Sequence, residues 1–236
     1  MGTLNSMFNS KYSKVLTIIL IIVIVLIVGI LGFMAYDVYR KYVIDEEAGT
    51  AAGKFENQFA NNSNTVENIV SNTEVIDPNI DLNSINNGNT NTVNTTNGNK
   101  VMYQGYEVIG TIEIPKTNIK YPIIKSEDVG LNSLKVAICN LYGELNTKGG
   151  NGVLVGHNYR NGTFFSNNKK LTNGDKIYIT DNSGKKVTYT IYKKYETGTG
   201  DFNYATRKVD ANKMEISLST CTDDSKKRLI IWAVAE

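Results

Sequence analysis

A thiol, a guanidinium and the chain's single imidazole fall in the last 80 residues of this 236-residue sequence. Cys221 closes the alternating run "KMEISLSTC", Arg228 opens the run "RLIIWAVAE", and the polar stretch "TDDSKK" lies between them. In an extended strand Met214, Ile216, Leu218 and Thr220 share one face, while Glu215, Ser217, Ser219 and Cys221 share the other. Cys221 therefore belongs to the polar face, where a thiol is accessible; a structural cysteine would sit among the apolar residues. Pairing the two runs symmetrically across the loop sets Cys221 opposite Arg228, with Cβ atoms about 5 Å apart. A one-residue slip of register would undo that pairing.

A guanidinium beside a thiol favours the thiolate and offers donors to a developing oxyanion, which is what acyl transfer requires. A nucleophilic cysteine also needs a group to manage protons. His157 is the one histidine available, at the end of "NGVLVGH", where a strand tip enters a polar loop. Taken singly, each residue has a blander reading: a surface histidine, a solvated edge arginine, an inert cysteine. Their joint occurrence in one β-rich segment favours chemistry, and the three should converge on one open groove. Cys139, in "LKVAIC", alternates with apolar neighbours and reads as a small core residue.

The elements that must hold these groups begin after about Val101. Short alternating runs broken by turn residues give eight strand candidates, the pattern of an all-β sandwich or barrel. They are "YEVIGTIEI", "NIKYPII", "KVAIC", "GVLVGH", "DKIYIT", "KKVTYTIYKKY", "KMEISLSTC" and "RLIIWAVAE". A segment of roughly 135 residues can bury its own core. Upstream, Val15 to Met34 is an uncharged apolar run long enough to cross a hydrocarbon core about 30 Å thick. It reads as an uncleaved signal anchor; Lys11 and Lys14 before it and Arg40 and Lys41 after it orient it only weakly. From about Asp45 to Asn99 the chain is rich in Asn, Thr, Ser and Gly, and reads as a disordered tether with room for a helix in "EEAGTAAGKFENQFA". A net charge of +2 argues against a nucleic-acid partner. Two cysteines are too few for a disulfide framework.

The combination of "SLSTC", an arginine seven positions after its cysteine, and "GVLVGHN" upstream resembles the sortases, membrane-anchored cysteine transpeptidases of mainly Gram-positive bacteria. The resemblance runs from about Gly105 to Glu236. The family pattern T-L-x-T-C carries Ser217 at its first position, which keeps the hydroxyl. It implies an eight-stranded sortase β-barrel with short helices and this layout: cytoplasmic tail 1–14, transmembrane anchor 15–36, extracellular tether 37–104, catalytic domain 105–236. By the same resemblance Cys221 attacks the threonine carbonyl of an LPXTG-like sorting signal on a surface protein. His157 protonates the leaving amine and deprotonates the incoming one, Arg228 stabilises the oxyanion or positions the substrate backbone, and Thr220 lines the substrate site. The implied acceptor is a cell-wall precursor amine such as the lipid II cross-bridge, on the outer side of the cell membrane. No cofactor and no metal are implied. "GHN" and "LSTC" are class B-like, and Asp223 matches an acidic position proposed in some class B enzymes to orient the histidine. The run before the catalytic strand is too short for the usual class B insertion.

Two other readings stay open from the residues. A surface cysteine peptidase would release the same thioacyl intermediate to water. A tethered β-barrel adhesin would make Cys221 incidental.

Overall fold

The computed structural model describes residues 2–71 and 100–236, with side chains described outside 2–11, 13 and 61–71. Helix α1 spans Gly2–Ser71. The strands are β1 (Met102–Tyr103), β2 (Tyr106–Ile114), β3 (Ile119–Ile124), β4 (Ile138–Tyr142), β5 (Asn151–Val155), β6 (Lys176–Asp181), β7 (Lys186–Gly198), β8 (Glu215–Cys221) and β9 (Lys227–Ala235), with a short helix α2 (Asn203–Thr206) between β7 and β8. Around the sheet the order is β2-β3-β4-β5-β8-β9-β7-β6, and β6 pairs back onto β2, so eight strands close a barrel. β1 only extends the β2 edge as a two-residue hairpin. Closure leaves the barrel proper without an unpaired edge.

Seven of the eight strand candidates coincide with strands to within a few residues at each end. The eighth, "KVAIC", starts late: Ser133–Lys135 forms a 3-10 turn and β4 begins at Ile138. Ile112, Ile114, Ile123, Ile138, Leu154, Ile177, Ile179, Leu218 and Ile231 are among the fully buried side chains. Each contributes about 1.5–3 kcal/mol relative to exposure.

Two units make up the chain, Met1–Ile44 and Asp45–Glu236. In the first, α1 leaves its apolar side chains from Val15 to Met34 exposed, and the helix is long and apolar enough to cross a membrane.

The second unit begins well before residue 105, where the resemblance starts the catalytic domain. The tether was placed at 37–104 and the catalytic domain at 105; the part from 72 to 99 lies outside the described residues, but the helical segment from Asp45 to Ala60 packs on the barrel. Ala48, Ala51, Ala52 and Phe55 are buried, recurring at the i, i+3, i+4, i+7 spacing of a single helix face. The alanines let the helix backbone approach closely, and Phe55 fills the space beyond them. Polar contacts flank this stripe: Tyr121 donates to Asp45 Oδ1, Gln104 Nε2 to Glu47 at 2.8 Å, and Thr111 Oγ1 and Lys120 Nζ to Glu56 at 2.7 and 2.6 Å. Burial pushes the Glu56 carboxyl upward, yet the Lys120 and Thr111 bonds and the Lys120 charge outweigh it and hold the group below its usual range. Phe59 lies over Gly184, in the β6–β7 turn. That glycine has φ +81°, and a Cβ there would come within 2.6 Å of the Phe59 ring, so both the turn and the helix require glycine.

Candidate active site

The cysteine-bearing strand β8 lies between β5 and β9, and its two pairings have opposite sense. With β9 it is antiparallel, and the register sets Cys221 directly across from Arg228, as symmetric pairing over the loop requires. With β5 it is parallel, Val155 standing beside Ser219, and the ladder continues through Gly156 N–H to Ser219 O at 3.2 Å. Two residues further along each strand stand His157 and Cys221. Cysteine and arginine thus stand at the ends of β8 and β9, and histidine lies two residues beyond the end of the adjacent β5, at one end of the barrel. The parallel pairing accounts for the long sequence gap, since parallel neighbours need a crossover connection.

Glycine at 156 has a steric reason. A Cβ there would lie 2.6 Å from Ile138 Cδ1 and 2.9 Å from the Phe165 ring, closer than packed atoms tolerate. Gly156→Ala should cost about 1–3 kcal/mol by overpacking and displace the adjoining His157; a chemical denaturation curve read beside the imidazole NMR shift checks both.

His157 is half-buried. Its ring lies against Tyr159, centroids 4.9 Å apart, and its carbonyl accepts the Phe165 N–H at 3.1 Å. Burial, and next the positive charge of Lys135, hold its pKa below the usual 6.5. The imidazole is therefore neutral at pH 7, and the imidazolium is the minority form. The unfolded chain binds this proton more readily than the folded one, so the group's stability contribution is present above pH 6.5 and is lost as pH falls through the folded value. Because the chain has one histidine, its imidazole resonance can be followed alone by NMR. It should titrate below pH 6.5, and Lys135→Gln should move the midpoint up but not fully to 6.5, since burial remains the larger cause.

Arg228 is held from the β7–β8 connection: Nε donates to Thr199 O at 3.3 Å, and the guanidinium carbon lies 5.8 Å from the Phe202 ring centroid. Arginine's planar fork suits such combined stacking and hydrogen bonding.

The polar face of β8 is not open along its length. Glu215, Ser217 and Ser219 are buried beneath the β7–β8 connection. Ser219 Oγ donates to Tyr204 OH at 3.2 Å, and Ser217 Oγ to Asn151 Oδ1 at 2.9 Å. Asn151 in turn donates to Tyr204 O at 2.9 Å. Arg207 anchors the same connection, 2.5 Å from Glu215 and 4.2 Å from the Trp232 ring centroid. Small hydroxyl residues occupy these strand positions because the connection supplies their partners. Cys221, at the strand end, is the one member of that face left partly exposed.

A cleft of about 450 Å³ opens beside Cys221, with Thr220, Leu229, Phe165, Ser166 and Asn158 in its wall. His157 and Arg228 do not line it, so the single groove shared by all three side chains is not what this cleft provides. Cys221 is itself in the wall, beside Thr220 and Leu229, which project from the face opposite to Arg228. Thr220 is 2 % exposed, and its Oγ1 and the Ser166 Oγ are buried without a hydrogen-bond partner. Asp223 is engaged elsewhere than on the histidine: its carboxylate accepts from Asn158 Nδ2 at 2.9 Å and from Lys169 Nζ at 2.6 Å. Asn158 is the residue the sequence reading missed; its only signal was its place immediately after His157. Cys139 is fully buried and free, its thiol pushed up by burial to about 11, in keeping with an inert core residue.

Comparison with known proteins agrees on one family. The family model described as the sortase domain matches residues 112–236. "Sortase A" of Bacillus anthracis is 34% identical over 130 residues, covering 53% of this chain and 58% of the relative. The chain thus spans less than two thirds of that relative's length. Among solved structures, a lid mutant of sortase A from Corynebacterium diphtheriae is 28% identical with a TM-score of 0.48, covering 55% of this chain and 70% of the other. The Clostridium perfringens sortase D5 transpeptidase is 26% identical with a TM-score of 0.48, covering 55% and 79%.

Proposed function

Because this chain belongs to the sortase family, we propose that it is a cysteine transpeptidase that cleaves an LPXTG-like sorting signal of surface proteins and passes the acyl group to an amine of a cell-wall precursor. The observation that carries this reading is the juxtaposition on β5, β8 and β9, which brings His157, Cys221 and Arg228 to one barrel end.

The Cys221 thiol gives its proton to neutral His157, and its sulfur attacks the carbonyl carbon of the threonine in the signal. Negative charge gathers on the carbonyl oxygen, where the Arg228 guanidinium supplies donors. As the C–N bond breaks, His157 gives its proton to the departing amine, leaving a thioester on Cys221. The incoming amine then attacks that carbonyl, neutral His157 accepts the amine proton, and the sulfur leaves as the new amide forms. The low proton affinity of His157 makes its imidazolium a ready proton donor to the departing amine and leaves the imidazole unprotonated when the acceptor amine arrives. Thr220, buried in the wall of the adjoining cleft beside Cys221, helps shape the substrate site. The apolar segment of α1 anchors the enzyme, with residues 1–14 in the cytoplasm and the barrel outside the cell, where sorting signals and cell-wall amines meet.

Mass spectrometry of products from a panel of sorting-signal peptides, with and without an amine such as triglycine, tests the proposal. A new peptide-to-glycine amide that appears only with wild-type enzyme is expected. Cleavage whose products are unchanged by added amine would instead identify a peptidase that hands the thioester to water.

A further inference from the structure

We infer that Asn158 is a positioning residue, whose carboxamide locks the histidine-bearing segment to the backbone of the nucleophile and to the loop that follows it. The inference rests on the reading of Cys221 and His157 as reacting partners.

All of the Asn158 carboxamide is in use. Its Oδ1 accepts the Arg160 N–H at 3.0 Å, which fixes the orientation of the amide, since only the oxygen can accept. The NH2 group then has to face β8, where it donates to Cys221 O at 3.0 Å and to Asp223 Oδ1 at 2.9 Å. A second tie runs parallel to the first: Arg160 Nη2 reaches Ser225 Oγ at 3.0 Å. Both Arg160 and Ser225 have left-handed backbone, φ +62° and +59°, a conformation that costs non-glycine residues energy and persists where surrounding contacts hold it. The tied loop is itself ordered, Thr222 N–H reaching Lys227 O and Ser225 N–H reaching Thr222 O, both at 2.9 Å.

The geometric consequence follows from adjacency. His157 precedes Asn158 in the chain, and Cys221 carries the carbonyl that Asn158 grips. The β5–β8 ladder sets the two strands side by side, but its last strand pair is Val155 with Ser219, short of both reacting residues. Beyond it, the Gly156 bond and the Asn158 carboxamide are what keep the imidazole and the thiol in step. Asp223 enters as an acceptor for this amide. Its pairing with Lys169 is half-exposed on both sides and contributes little by itself.

The inference separates an acceptor role from a charge role at residue 223. Asn158→Ala should lower kcat for a sorting-signal peptide about ten- to a hundredfold with KM within about threefold, the signature of misplaced reacting groups. Asn158→Asp, which replaces the donor by a second carboxylate, should be at least as impaired. Asp223→Ala should fall in the same direction, Asp223→Asn should recover most of that loss, and Asn158→Ala with Asp223→Ala should be no worse than Asn158→Ala alone. Alkylation of Cys221 by iodoacetamide needs no histidine alignment and should change less than about twofold in Asn158→Ala. Wild-type kcat in Asn158→Ala, Asp223→Asn as low as Asp223→Ala, or alkylation falling in step with turnover would each overturn the inference. Amide exchange at Thr222 and Ser225 needs no substrate and should accelerate at least about tenfold in Asn158→Ala; unchanged exchange removes the clamp. A wild-type enzyme that turns over no peptide would sink the transpeptidase reading, and exchange would still decide whether the clamp exists.

Discussion

Cys221→Ala should lower turnover of a sorting-signal peptide by at least about a thousandfold, because the chain's other thiol, Cys139, is fully buried and cannot take over the acyl intermediate. Intact-mass measurement after mixing enzyme with peptide, without an acceptor amine, should show a covalent adduct on the wild type and none on Cys221→Ala. His157→Ala should fall almost as far, and the double variant no further, since residues acting as one unit are strongly non-additive. Arg228→Ala should cost about a hundred- to a thousandfold, as loss of an oxyanion donor does elsewhere. Arg228→Lys should recover little: an ammonium cannot reproduce the fork that donates to Thr199 O while stacking near Phe202. Equal cleavage by the wild type and Cys221→Ala would rule out the thioester route altogether.

Phe55→Ala should be among the most damaging single changes to stability outside the barrel strands, costing about 3–5 kcal/mol. The side chain is 2 % exposed, and the alanines beside it cannot close the hole it would leave. Against a total stability of about 5–15 kcal/mol, a loss of that size should lower Tm by about 6–20 °C in a domain of this length. Scanning calorimetry of the intact chain measures it. A change of less than about 1 kcal/mol would mean that the helix does not support the barrel. For the same reason a fragment beginning at residue 105 should melt well below one beginning at Asp45, since it forfeits the Ala48, Ala52 and Phe55 packing together with the Glu56 bonds to Thr111 and Lys120.

What the sequence made legible was whatever repeats at short range. Period-two runs marked the strands, and the loop "TDDSKK" defined a hairpin whose register sets Cys221 across from Arg228. The helix against the barrel left a trace as well, in the spacing of Ala48, Ala51, Ala52, Phe55 and Phe59, but three alanines contribute so little hydrophobicity that the Asn-rich surroundings masked it. Long-range partnerships were not legible. Ser217 and Ser219 look like solvent-facing residues until Tyr204 and Asn151 supply their hydrogen bonds. Asp223 matches the acidic position that the class B resemblance gives to orienting the histidine; in the fold Asn158 and Lys169 take its carboxylate.

The parallel pairing of β5 with β8 also bears on when the protein becomes reactive. A hairpin such as β8–β9 can form locally and early, whereas a parallel neighbour must wait for the intervening chain to traverse the barrel, and such non-local pairings form slowly. A newly made chain holds its thiol and imidazole far apart until the crossover through β6 and β7 has been laid down. Juxtaposition of the thiol and the imidazole is thus an outcome of completed folding, set by topology alone.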